Sequence, residues 1–248
     1  MNTCLDPRLT LLHGEVHVWH TGLESEDTAR QLEPLLSPDE IQRANRFRFA
    51  EHRRRFVIAR GCLRKLLSAY LQNDAGELVF TYSGEGKPSL DFRHQTDLRF
   101  NLSHSGEIAA FAFALGRNLG IDVELIRRDV DVDEIPKRFF SCAEQEVLKT
   151  LQGEGKFQGF FNCWTRKEAY VKAVGSGLSL PLRDFDVSLR PGDEARLLAT
   201  RPDQSLASRW SMASLDFGKE YAGAVIVEGK LEKLEVRQFD PVAGVSRK

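Results

Sequence analysis

Between Phe161 and Leu182 the sequence reads FNCWTRKEAYVKAVGSGLSLPL, and this stretch limits the chain's options more than any other. Trp164, Glu168 and Lys172 follow one another at i, i+4 spacing, which predicts a helix carrying all three on one slowly drifting face. Phe161, Ala169, Tyr170, Val171 and Val174 supply apolar contacts. Gly175 and Gly177 end the helix, because glycine accepts the left-handed conformation that a helix C-cap requires. An acid and two lysines, Lys167 and Lys172, therefore project from one helix. Taken alone, the charges read equally as an exposed ion pair worth a few tenths of a kcal/mol.

A second segment gives that helix a partner. Leu119-Gly120-Ile121-Asp122-Val123-Glu124 alternates like a strand, so Asp122 and Glu124 leave the same sheet face while Ile121 and Val123 face the other way. Two like charges side by side repel unless a cation lies between them. Such a pair of hard oxygens suits Mg²⁺, and Mn²⁺ makes the same demand. An exposed strand edge is the plainer reading.

Upstream, Arg53, Arg60 and Arg64 cluster on one face of the segment FRFAEHRRRFVIARGCLRKLLSAYL, whose Phe56, Leu63, Leu66, Leu67 and Tyr70 give helical apolar spacing. Guanidinium forks match phosphate oxygens bidentately, although a solvated basic face has the same appearance. Gly86-Lys87-Pro88 is a turn able to hold a lysine beside an anion. His104 lies in the hydroxyl-rich Ser103-His104-Ser105-Gly106, read as a turn after a strand Leu98–Leu102.

Further strands are predicted at Glu15–His20, Leu78–Tyr82, Ile108–Leu115, Phe185–Leu189, Trp210–Ala213 and Tyr221–Val227. Phe111 and Phe113 share one face of theirs. Ser37-Pro38-Asp39-Glu40 and Ser141-Cys142-Ala143-Glu144 are capping boxes that open helices, the first running to about Arg46 and the second to about Leu151. Gly153 to Gly155 reads as a loop. Each half thus runs capping-box helix, charged helix, strands, an order that implies an α+β fold of two similar halves. The boundaries expected are 1–115, 116–240 and a flexible tail 241–248.

Composition excludes several functions. The formal net charge of −1 over 248 residues marks neither a nucleic-acid nor a membrane binder. Cys4, Cys62, Cys142 and Cys163 lack C-x-x-C spacing, so neither disulfides nor zinc are expected. No signal-peptide pattern opens the chain, and the longest apolar run, around Ala109 to Leu115, is too short to span a bilayer. A cytoplasmic protein is expected.

With FNLSHSG (Phe100 to Gly106), GIDVE (Gly120 to Glu124) and WTRKEAYVK (Trp164 to Lys172) in that order, the chain resembles the surfactin-synthetase-activating type of 4′-phosphopantetheinyl transferase. The likeness covers about Val16 to Val227. It implies a pseudo-dimer with the active site in the cleft between the halves, acting as a monomer. The reaction implied is transfer of phosphopantetheine from coenzyme A to a serine of apo acyl or peptidyl carrier proteins, releasing adenosine 3′,5′-bisphosphate. Carried over residue by residue, Asp122, Glu124 and Glu168 would hold Mg²⁺, with Asp122, Glu168 and Lys172 in the catalytic roles. Arg43, Arg55, Arg60, Lys87, Pro88, Ser103, His104, Lys167 and Lys172 would meet coenzyme A. A basic position of the family falls at Glu40 here, a departure from its pattern. The carrier is expected to dock around Gly177 to Leu182, with its apolar residues exposed.

Two rivals differ in class. A metal-dependent nuclease would carry a lysine two residues after the second acid, where Ile126 stands. A catalytically silent module binding coenzyme A or a carrier would not need all three acids.

Overall fold

The computed structural model describes residues 9–84, 86–175 and 177–244, apart from the side chain of Leu178. The N-terminal segment with Cys4, together with residues 245–248 of the expected tail, lies outside these. The first half comprises β1 (Glu15–Gly22), α1 (Glu26–Leu32), α2 (Pro38–Ala44), α3 (Ala50–Leu71), β2 (Phe80–Tyr82), β3 (Pro88–Leu90), β4 (Leu98–Ser105) and β5 (Ile108–Leu115). The second comprises β6 (Leu119–Leu125), α4 (Glu134–Phe139), α5 (Cys142–Lys149), α6 (Gly153–Val174), β7 (Phe185–Val187), β8 (Leu197–Thr200), β9 (Trp210–Leu215) and β10 (Tyr221–Glu228). A last strand, β11 (Lys233–Gln238), crosses back to the first half.

Four layers result: α3, a sheet ordered β11-β1-β5-β4, a sheet ordered β6-β10-β9, and α6. The side-chain alternation of β5 explains the first sheet. Ala109, Phe111 and Phe113 pack toward α3, whereas Ala110, Ala112 and Ala114 lie flat against the other sheet. The second sheet answers with Ile121, Val123, Val225 and Val227, so the two sheets meet over an apolar seam. Both halves follow the same order, a capping-box helix, a 22-residue helix, then antiparallel strands.

Both capping boxes form. Glu40 and Glu144 each accept the backbone N–H of the serine three residues before, at 3.0 and 2.8 Å. The helices they open end slightly early, at Ala44 and Lys149.

Several expectations need correcting. Ser103, His104 and Ser105 are strand, because the reversal is taken by Gly106 and Glu107, with Gly106 at φ +54°. The expected loop Gly153–Gly155 is the first turn of α6. The second half does not keep its chain to residue 240, since β11 pairs in parallel with β1. Of the expected flexible tail, residues 241–244 follow an Asp240 turn, and Lys65 donates to the Pro241 carbonyl at 2.9 Å. Helices α1 and α4 and strands β3, β8 and β11 are absent from the sequence reading.

One position locks α6 onto the second sheet. A Cβ at Gly120 would stand 2.0 Å from the Ala169 carbonyl oxygen and 2.6 Å from the Ala173 nitrogen. Helix backbone therefore touches strand backbone there, which only glycine allows. Gly120→Ala should cost about 3 kcal/mol, the upper end for overpacking, read as a lowered urea midpoint. An unchanged midpoint would mean that the helix can lift off without loss.

Candidate active site

Because α6 lies against β6, its polar face meets the acidic face of the strand. Trp164, Glu168 and Lys172, one turn apart, line a cleft of ≈ 720 Å³ between the halves together with Asp122 and Glu124. The opposite wall comes from the first half: Arg43, Phe56 and Arg60 from the helices, Lys87 and Pro88 from the turn, and Asn101 to His104 from β4. Carboxylates thus stand on one side and most of the cations on the other.

Lys172 is the hinge of this polar network. Its Nζ donates to Asp122 Oδ1 at 2.7 Å, to Ser103 Oγ at 2.9 Å and to the Ile121 carbonyl at 3.3 Å. Ser103 in turn donates to Asp122 Oδ1 at 2.8 Å, and Ser105 donates to Glu124 Oε2 at 2.7 Å. Lys87 reaches across from the first half to the Lys172 carbonyl at 2.5 Å. The turn's lysine therefore also caps the end of α6, where the carbonyls carry negative partial charge.

Burial, and then the charge of Asp122, push the carboxyls of both Glu124 and Glu168 above the usual carboxylate range. Asp122 Oδ2 is buried and has no hydrogen-bond partner. Hard oxygens, mutual repulsion and an orphaned carboxylate oxygen fit a small divalent cation. The three acids line one cleft, but among the described residues no three His, Cys, Asp or Glu side chains converge on a ready-made metal position. His104 is lowered by burial first, then by Lys172 and Arg55, which leaves a neutral imidazole at pH 7. Lys87 is lowered by burial and by the neighbouring Lys172.

On the opposite wall Arg60 is 5% exposed, and its Nη1 has no hydrogen-bond partner. Glu40 explains how an arginine is kept there. Its buried carboxylate pairs with Arg60 Nε at 3.3 Å and with Arg64 Nε at 2.7 Å. The departure from the family's basic position is thus a buried acid that positions two arginines. Arg64 is spent on this pair and on the Ala75 and Leu78 carbonyls, while Arg53 pairs with Glu33 on the surface, so neither faces the cleft.

Two of the expected coenzyme A contacts lie elsewhere. Arg55 is held by Glu107 at 2.6 Å and does not line the cleft in this structure. Lys167 is fully buried on the other side of α6, paired with Glu144 at 2.8 Å and donating to the Leu182 and Phe185 carbonyls. Five residues beyond Lys167, Lys172 has turned well over a full helical turn and faces the cleft instead. Conversely, Asn101 and Phe56 line the cleft and Ser105 bonds to Glu124, positions that the sequence does not assign to the site. The alternation of polar side chains in Asn101, Ser103 and Ser105 was the available signal.

Sequence profiles agree with this arrangement half by half. That of the 4′-phosphopantetheinyl transferase superfamily matches residues 118–226, and that of the 4′-phosphopantetheinyl transferase N-terminal region matches residues 24–115. The chain is 42% identical over 225 residues to the 4′-phosphopantetheinyl transferase HetI of Nostoc sp. (strain PCC 7120), covering 90% of this chain and 92% of that protein. It is 32% identical to the 4′-phosphopantetheinyl transferase Sfp of Bacillus subtilis (strain 168), covering 66% and 71%. A solved holo-(acyl-carrier-protein) synthase from Bacillus anthracis in complex with CoA overlaps 46% of this chain and 96% of its own, at 24% identity and a TM-score of 0.38. The chain belongs to the 4′-phosphopantetheinyl transferase family.

The position of Lys167 has a measurable consequence. Lys167→Ala leaves Glu144 buried without its cation and should destabilise the fold by roughly 3–5 kcal/mol in chemical denaturation. A stable variant with weakened coenzyme A binding would instead make Lys167 a ligand contact.

Proposed function

We propose that this chain transfers 4′-phosphopantetheine from coenzyme A to a serine of apo acyl or peptidyl carrier proteins, releasing adenosine 3′,5′-bisphosphate. The observation that carries the reading is the cleft itself, with Asp122, Glu124, Glu168 and Lys172 on one wall and Arg43, Arg60, Lys87 and His104 on the other. A pyrophosphate diester needs both a cation-rich cradle and an acidic corner. A silent binding module has no use for three mutually repelling carboxylates in the same cleft.

Asp122, Glu124 and Glu168 would hold Mg²⁺, or Mn²⁺ with the same ligands, and the bound ion supplies charge neutralisation at the pyrophosphate oxygens. The carrier serine oxygen bonds to the phosphorus bearing pantetheine, and the bond from that phosphorus to the bridging oxygen breaks. The serine proton passes to Glu168, which lines the same wall of the cleft as Asp122 and Lys172. Lys172 meets the charge growing on the departing phosphate. The 3.3 Å bond to the Ile121 carbonyl is the longest of its three, and a phosphate oxygen would replace it. Arg43, Arg60, Lys87, Ser103 and His104 orient the nucleotide end, including its 3′-phosphate, and such positioning is most of what phosphoryl transfer requires.

The carrier would dock beside the end of α6, around Gly177 to Leu182. Leu180 and Leu182 pack partly against the second core, and beside them, among the described residues, Val174 is an exposed apolar side chain, 44% accessible. The same reading takes the enzyme as a cytoplasmic monomer. Both walls of the cleft come from one chain, and no helix of the described residues is long and apolar enough to cross a membrane.

The test mixes the pure protein with coenzyme A, Mg²⁺ and a panel of apo carriers, followed by intact mass spectrometry. A phosphopantetheine-sized gain is expected, abolished by EDTA and slowed at least about 100-fold by Asp122→Ala. No gain on any carrier, with coenzyme A still bound, would favour the silent module.

A further inference from the structure

Strands β4 and β6 belong to different sheets and different halves, and they do not pair through their backbones. What joins them is a ladder of side chains. Asn101, Ser103 and Ser105 leave the same face of β4 at every second position. Asn101 Oδ1 accepts the Ile121 N–H at 2.9 Å, Ser103 donates to Asp122 at 2.8 Å, and Ser105 donates to Glu124 at 2.7 Å. Each rung ends on or beside the acidic strand, so the first half reaches over and aims the carboxylates of the second.

We propose that Ser105 is a positioning residue, whose hydroxyl fixes the Glu124 carboxylate in the orientation needed beside Asp122. The hydroxyl has little choice of direction. Its oxygen accepts the Leu125 N–H at 3.1 Å, which points its single proton at Glu124 Oε2. Unlike Asp122, which is also tied to Lys172, Glu124 has three side-chain torsions to immobilise and is held by the hydroxyl of the facing strand. Residues that orient a ligating group commonly matter almost as much as the ligand itself. Asn101 works one step further back, setting the height of β6 against β4 through the backbone of Ile121.

This inference rests on the transfer reaction proposed above. Its test compares Ser105→Thr with Ser105→Val, two side chains of nearly equal volume that differ in the hydroxyl. With carrier and coenzyme A saturating, the valine variant should lose roughly 10- to 100-fold in kcat, and the Mg²⁺ concentration giving half-maximal rate should rise by a similar factor. KM for coenzyme A should stay within about twofold, since the nucleotide end meets other residues. Calorimetric titration of Mg²⁺ into each protein with bound coenzyme A should show weaker binding in the valine variant alone. The threonine variant should restore both readouts. Ser105→Ala repeats the comparison should valine fail to fold. Equal kcat and equal Mg²⁺ dependence in the hydroxyl-bearing and hydroxyl-free variants would overturn the proposal, as would a loss that threonine does not rescue. A wild-type protein that modifies no carrier would overturn the transfer reaction itself, and that result is seen before any variant is made.

Discussion

The contact between the backbone of α6 and the backbone of β6 at Gly120 is the constraint on which the site depends. Without a Cβ between them, the Ala169 carbonyl and the Ala173 amide can come within touching distance of the strand. That closeness brings Lys172 Nζ to 2.7 Å from Asp122 and sets Glu168 and Trp164 along the same cleft wall. A side chain at Gly120 would hold the helix away by more than the tolerance of a hydrogen bond. The spacing W-x-x-x-E-x-x-x-K on the helix and D-x-E on the strand acquires chemical meaning only because the two are pressed together.

Charge is distributed along the same logic. The second half keeps its acids on β6 and α6, where burial and Asp122 make Glu124 and Glu168 reluctant to ionise. The first half contributes arginines stabilised by an acid of its own, since Glu40 sits beneath Arg60 and Arg64. Each wall keeps a buried polar atom without a hydrogen-bond partner, Arg60 Nη1 on one side and Asp122 Oδ2 on the other.

What the sequence revealed follows the range of the interaction. Capping boxes at Ser37 and Ser141, the alternation of Ala and Phe in β5, and the i, i+4 row on α6 are local patterns, and the structure reproduces them. Ser103 to Ser105 read as a turn in the sequence because serines and glycine resemble turn chemistry. Alternation with the apolar Phe100 and Leu102 was the stronger signal. Lys167 is not placed by the sequence because Lys167 and Lys172 on one helix do not reveal which of them the core claims, and the partner Glu144 is 23 residues away. Arg55 is likewise claimed by Glu107 on a distant hairpin. Long-range pairing has no local signature, so these were the positions that only the assembled fold could resolve.

The return of β11 to the side of β1 carries an implication for synthesis. Glu15 faces Lys233 in that pair, more than two hundred residues along the chain. During translation the first half can gather α3 onto β1, β5 and β4, yet one margin of its sheet stays bare until residues 233–238 have been made. Contacts of such sequence separation also slow the final folding step. The nascent first half thus leaves the ribosome as an unfinished sheet whose exposed border is complementary to a strand that does not yet exist, the stage at which a chaperone or a wrong strand has its best access.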